Sequence, residues 1–175
     1  MTPPLLERLD ARDRALFVRF ALNSRCTLSR RNFWTTITHV GGARASIGAC
    51  LLSLLMPRVT ITIAWRALLL LGLSHAVVQV VKRFAGRPRP SASLSYQALI
   101  AVPDHFSFPS GHACAAMAVA VAYAWAFPTL ALPLLLLALL VGFSRVMLGV
   151  HYPGDVAVGQ AIALLSGYVM FAVGG

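Results

Sequence analysis

The chain has 175 residues, of which 58% are hydrophobic and only 11% charged, and it carries a net charge of +10 and three cysteines. That length allows one domain, and so few charges cannot clothe a soluble surface, which excludes the basic nucleic-acid binders that spread Lys and Arg over a water-facing side. Cys26, Cys50 and Cys114 are odd in number and lack CxxC spacing, which argues against a disulfide framework or a zinc site.

The chain opens on LLERLDARDRALFVRFAL. Acids and arginines stand where an apolar signal core would begin, so no cleavable signal peptide is expected. Leu5, Leu6, Leu9, Leu16, Phe17 and Phe20 recur among the charges at helical spacing, which predicts an amphipathic helix lying in a membrane interface. Eight arginines fall within the first 44 residues. Residues 1–36 read as this interfacial region and 37–175 as a transmembrane bundle, the whole forming a single domain.

A weak apolar span covers residues 37–56, interrupted by His39 and Arg44, whose side chains can snorkel to an interface, and closed by Pro57-Arg58. A clearer one covers residues 59–81, ~35 Å as a helix, with Arg66 near one end and Lys82 just past the other. Between His112 and Arg145 there is no formal charge. As one helix that stretch would be ~48 Å long, too long for a hydrocarbon core of ~30 Å, and Phe127-Pro128-Thr129 supplies the break that makes it a hairpin. A last span covers residues 156–173 and ends at Gly174-Gly175. The expected fold is an all-α integral membrane protein, a bundle of five transmembrane helices behind an amphipathic interfacial one. A sixth crossing between residues 15 and 40 would have to carry Arg19, Arg25, Arg30 and Arg31 into lipid, at high cost.

Three polar segments interrupt the apolar pattern, and up-and-down threading brings them to one membrane face. The first is KRFAGRPRP, residues 82–90, where Gly86, Pro88 and Pro90 end a helix and leave Lys82 on its last turn with Arg87 and Arg89 beyond it. Arg offers a planar fork that matches two phosphate oxygens, and Lys a mobile point charge. The second is PSGH, residues 109–112. Ser110 is a good helix N-cap, Gly111 lets a ligand approach the backbone, and the free N–H groups of a helix start favour an anion facing His112. Behind it Ala116, Ala120 and Ala124 recur every four residues, a stripe suited to close helix packing in lipid.

The third is SRVMLGVHYPGD, residues 144–155. Tyr152 precedes Pro153, which puts His151 in a turn and Asp155 in the first turn of the last helix. An Asp beside a His fixes its tautomer and stabilises its cation, leaving the other ring nitrogen to attack or to transfer a proton.

Each segment alone has an ordinary reading: a topology signal, a helix cap, a structural His–Asp pair. Together they gather Lys82, Arg89, Arg145, Ser110, Gly111 and two histidines, which is the set a phosphate monoester dianion requires. Metal-assisted hydrolysis would want several carboxylates, and outside the N-terminal stretch there are only Asp104 and Asp155, of which Asp155 is engaged by His151, so no metal and no cofactor are expected.

The pattern K-x6-RP, PSGH and SR-x5-H-x3-D, met by Lys82 to Arg89-Pro90, by Pro109 to His112, and by Ser144-Arg145, His151 and Asp155, resembles the signature of the type 2 phosphatidic acid phosphatase (PAP2) superfamily. The resemblance covers residues 82–155 and leaves the N-terminal 40 outside. It implies a membrane lipid phosphatase in which His151 takes the phosphoryl group as a phosphohistidine, Asp155 orients and charges His151, and His112 protonates the leaving oxygen. Lys82, Arg89, Ser110, Gly111 and Arg145 would then bind the phosphate oxygens. The implied partners are a lipid phosphate (phosphatidic acid, phosphatidylglycerol phosphate, a polyprenyl phosphate or diphosphate, or a phosphorylated glycolipid) and membrane lipids, with no nucleic acid.

The implied location is the bacterial cytoplasmic membrane. Family resemblance puts the site on its outer face, whereas the basic N-terminal region, on the same side as the site if residues 37–56 cross, points to the cytoplasm. A non-catalytic protein that binds anionic lipid is the main alternative. A vanadate-dependent peroxidase would share the pocket but should be soluble.

Arg87, outside the matched positions, is expected to touch headgroups. His75 and Gln79 share a helical face with Lys82 and read as an interhelical hydrogen-bonding pair, while Asp104 and His105, in the long loop of residues 91–108, are not expected to be catalytic.

Overall fold

The computed structural model describes residues 4–94, 96–102 and 104–173. Among these it is all helical, with one isolated bridge between Pro88 and Phe106. The helices are α1 (Leu5–Phe20), α2 (Leu28–Val40), α3 (Ala43–Leu52), α4 (Ile61–Ala85), α5 (Pro90–Ser93), α6 (Gly111–Ala126), α7 (Ala131–Met147) and α8 (Pro153–Tyr168). The side chain of Leu6 and the residues Gly174 and Gly175 lie outside the described part.

Local chemistry sets the boundaries. Thr27 and Thr60 accept from the backbone N–H three residues on and so cap α2 and α4. Gly86, at a φ of 57°, takes the left-handed conformation that closes α4. Pro90 and Pro153 open α5 and α8, where a missing N–H costs nothing. The break expected at Pro128 is a single 3-10 turn, Pro128–Leu130, between α6 and α7.

The centre of the bundle is α6, on which α3, α4, α7 and α8 all pack. Ala113, Cys114, Ala116, Ala118 and Ala120 are buried along it, small enough for four helices to approach one backbone. The outer face of α4 is apolar and exposed at Trp65, Leu73, Val80 and Phe84, while Lys82, Arg89 and Arg145 are buried. Apolar groups outside and charges inside invert the soluble pattern and suit a lipid surround. Three helices, Ile61–Ala85, Pro128–Met147 and Pro153–Ala172, are long and apolar enough to cross a membrane, and Ala43–Leu55 and Gly111–Ala126 are shorter apolar helices.

The expected span at residues 37–56 is not one helix. It breaks at Gly41-Gly42 between α2 and α3 and ends in a 3-10 turn, Ser53–Leu55. The cause is a close approach: a Cβ on Gly41 would stand 2.9 Å from the His112 carbonyl and 2.4 Å from Val141 Cγ1, so only glycine lets the chain bend there. From that bend α3 follows α6 lengthwise, and Ser53 Oγ meets Tyr123 Oη at 2.6 Å near the other end. The expected boundary at residue 36 falls inside α2, and the expected loop of residues 91–108 begins with the last turn of α5.

Candidate active site

Four helix ends meet on one side of α6. The backbone N–H of Ser110 donates to the Asp155 carbonyl at 3.0 Å, which fixes the start of α6 against the first turn of α8. That contact depends on Gly159, where a Cβ would lie 2.5 Å from the Ser110 carbonyl oxygen. Ser110 sits at the N-cap position of α6, but its hydroxyl makes no capping bond. It is buried without a protein partner, as is Arg145 Nε.

His151 follows the last turn of α7 and is buried, with Nδ1 3.7 Å from Asp155 Oδ2. Arg89 Nη1 lies 3.2 Å from His151 Nε2 and donates to the Val150 carbonyl at 2.7 Å. A guanidinium can only donate, so Nε2 carries the lone pair and the ring proton sits on Nδ1, which faces Asp155 but is buried without a hydrogen-bond partner among the described residues. Asp155 is held in turn, its Oδ2 accepting from the Tyr152 N–H at 2.8 Å. Burial pushes the His151 imidazole down to about 4 against the pull of Asp155, with Arg145 and Arg89 adding to the effect. The ring is therefore neutral near pH 7.

Three cations surround it. Lys82 Nζ and Arg89 Nη2 donate to the two carboxylate oxygens of Asp104 at 2.9 and 2.6 Å. Burial works to raise the Asp104 pKa, but those two cations outweigh it and hold the carboxyl below its ordinary value. Arg145 Nη1 donates to Thr38 on α2 at 2.7 Å, and among the described residues no carboxylate stands within ion-pair distance of it. A buried cation without a counter-charge costs several kcal/mol and is a strong demand for an anion.

Lys82, Arg89, Gly111, His112, Arg145 and His151 all line one cavity of about 550 Å³. Its walls change character along α4, from Lys82 past Gln79 and His75 to Gly72, Leu71 and Leu68, a run of ~21 Å. His75 and Gln79 both line it. They bond to each other along α4, at 2.9 Å between Nε2 atoms, rather than across to another helix. His105 is exposed and outside this lining.

Two residues carry more than the sequence reading gave them. Asp104 bridges Lys82 and Arg89 inside the cavity. Arg87, expected at headgroups, instead donates to Asp155 Oδ1 at 2.6 Å, Asp13 Oδ2 at 2.7 Å and Asp10 Oδ1 at 2.8 Å, and lies over the Tyr152 ring at 4.1 Å. Burial lowers its pKa, but Asp155 and the bonds from Asp13, Asp155 and Asp10 more than reverse this, so the group is raised above its ordinary value. Asp13 also accepts from the Gly154 N–H at 2.7 Å, at the start of α8. The amphipathic α1 is thus docked on the site, with Phe17 fully buried against Tyr152 and Tyr96. Nothing local marks the ion pairs of Arg87, whose partners lie 68 to 77 positions away.

The model of the PAP2 superfamily matches residues 63–174, well over half of the chain and all three polar segments. The chain belongs to the PAP2 superfamily. Among curated proteins, this PAP2 chain is 38% identical over 102 residues to the decaprenylphosphoryl-5-phosphoribose phosphatase of Mycobacterium tuberculosis, covering 58% of this chain and 56% of that one. It is 36% identical over 84 residues to the undecaprenyl-diphosphatase BcrC of Bacillus subtilis, covering 48% and 44%. The chain thus spans about half the length of the curated relatives it matches. The crystal structure of Aquifex aeolicus LpxE superposes with a TM-score of 0.77 at 26% identity, covering 90% of this chain and 93% of that one.

Proposed function

We propose that this protein is a metal-independent phosphatase of the bacterial cytoplasmic membrane that hydrolyses a phosphate monoester or diphosphate on a lipid. The observation that carries the reading is the single cavity that joins Arg89, Arg145, Lys82 and two histidines at one end to an apolar wall along α4 at the other. Such a cavity suits a phosphate with a long apolar substituent. The names of the two curated relatives, both phosphatases of polyprenyl compounds, favour a prenyl chain over a diacylglycerol.

In this reading His151 Nε2 attacks phosphorus while the bond to the lipid oxygen breaks, and His112 gives its proton to that oxygen. Water then attacks the phosphohistidine with His112 taking its proton, inorganic phosphate leaves, and His151 is restored. Arg89, Arg145 and Lys82 balance the charge on the phosphoryl oxygens, and Ser110 and Gly111 at the start of α6 supply donors. Neither nearby carboxylate is available for a divalent ion, Asp104 being engaged by Lys82 and Arg89 and Asp155 by Arg87, which supports the metal-free route.

We read five crossings: α3 with its terminal 3-10 turn, α4, α6, α7 and α8, with α1 and α2 lying over the site. The parallel run of α3 beside α6 supports counting both despite their length.

The test is phosphate release by purified protein in detergent with excess chelator, from phosphatidic acid, phosphatidylglycerol phosphate, undecaprenyl phosphate and diphosphate, and a phosphorylated glycolipid. Turnover of at least one, highest for a prenyl compound, is expected. Binding without release from any would leave the non-catalytic lipid-binding alternative.

A further inference from the structure

A second cavity, of about 450 Å³, adjoins the first and shares His112 and Arg145 with it. Its outer wall is α2, where Arg31, Asn32, Thr35, Thr38 and His39 fall on one helical face by their spacing of three and four residues. The loop at Leu99 to Ala101 closes the far side, held by Arg31, whose Nη2 donates to the Leu99 carbonyl at 2.7 Å.

We propose that this cavity is a second phosphate-group subsite, on the side of His112 and Arg145 away from the apolar channel. The proposal rests on the phosphatase reading above and adds a ligand position to it. Three observations carry it. Among the described residues the lining holds two arginines and two histidines and no carboxylate, so its fixed charge is positive, whereas Lys82 and Arg89 in the main cavity are already paired to Asp104. Arg145 is shared and has donors to spare, since Thr38 takes one and its buried Nε has no partner. Arg31, Asn32 and His39 are exposed, so the cavity reaches the surface through polar side chains rather than lipid-facing ones.

The phosphate group it would take is inorganic phosphate leaving after phosphohistidine hydrolysis, because the second phosphate of a lipid diphosphate is bonded between the scissile group and the chain held in the apolar channel. It would lie beside His112, the group that handles the leaving oxygen and the incoming water.

The experiment compares wild type, Arg31→Gln and Arg31→Lys as full chains in detergent with chelator. It measures kcat/KM on phosphatidic acid, KM for undecaprenyl diphosphate, and the inhibition constant of inorganic phosphate. Losing a charge-assisted hydrogen bond should cost tenfold or more. Arg31→Gln is expected to leave phosphatidic acid turnover within about twofold. A tenfold rise in the inhibition constant is the expected result, and a tenfold rise in KM for the diphosphate without it would overturn the proposal. Arg31→Lys should recover most of the effect.

All three quantities within twofold of wild type would overturn the proposal, as would an equal loss in all three, which marks a merely structural role for the bond to Leu99. If wild type releases no phosphate from any lipid, the phosphatase reading fails separately. The subsite is then read by stabilisation against heat in inorganic phosphate, which Arg31→Gln should reduce to what the main cavity alone gives, and an unchanged stabilisation in that variant would refute the site.

Discussion

Arg87→Met removes the cation that three carboxylates share while keeping much of its apolar bulk over Tyr152. Asp155 is fully buried, so its carboxylate loses a 2.6 Å partner and cannot turn to water. Breaking a buried pair in this way costs roughly 3 to 5 kcal/mol. The contact with the Tyr152 ring adds about 1 kcal/mol, and the bond to the well-exposed Asp10 adds little because solvent screens it. Tm should fall by on the order of 10 °C.

Because Arg87 lies outside the lining of the cavity that holds the histidines, the substrate KM should stay within about twofold. Loss of kcat should be tenfold or more, since the Asp155 charge then draws on His151 alone. Thermal unfolding in detergent, followed by tryptophan fluorescence, gives the stability, and a cycle with Asp155→Asn gives the coupling. The double variant should recover at least half of the loss caused by Arg87→Met. A Tm within 2 °C of wild type, or no coupling in the cycle, would refute the role given to the arginine.

His151 is held neutral by burial, at about 4 against about 6.5 when unfolded. Between those values the unfolded chain takes up a proton that the folded one refuses, so stability should decline as pH falls from 6.5 towards 4. His151→Gln should flatten that decline in a pH series of melting curves. Gly159→Ala would push a methyl group into the Ser110 backbone, so turnover should drop about tenfold and stability by roughly 1 to 3 kcal/mol, seen by assay and melting curve. At Gly72, which lines the apolar channel, an added Cβ meets nothing within 4 Å. Gly72→Phe should therefore fold normally and raise KM for a long-chain lipid phosphate at least tenfold, while leaving p-nitrophenyl phosphate hydrolysis near wild type.

The parts of the fold written in local chemistry were readable from the sequence: Pro128 breaks the α6–α7 hairpin, Pro153 opens α8, and hydropathy marks α4. The weak span at 37–56 misled because its bend at Gly41 answers to Val141 and the His112 carbonyl, 100 and 71 positions away in the chain, and distant neighbours leave no trace in a hydropathy window. The residues expected at the site lie together around one cavity and its supports, since motif spacing and threading are both sequence properties. Arg87 and Asp104 escaped for the opposite reason. Their roles are set by ion pairs to Asp10, Asp13 and Asp155, and to Lys82 and Arg89, which form only once the helices have met.

The most direct measurement is rapid quenching of the enzyme with a lipid phosphate labelled with 32P at the scissile group, followed by analysis of the protein for acid-labile, base-stable phosphate. The account predicts label on His151 in wild type, formed faster than phosphate appears in solution, and none in His151→Ala. Turnover without any protein-bound label, or label that survives in the His151→Ala protein, would contradict it.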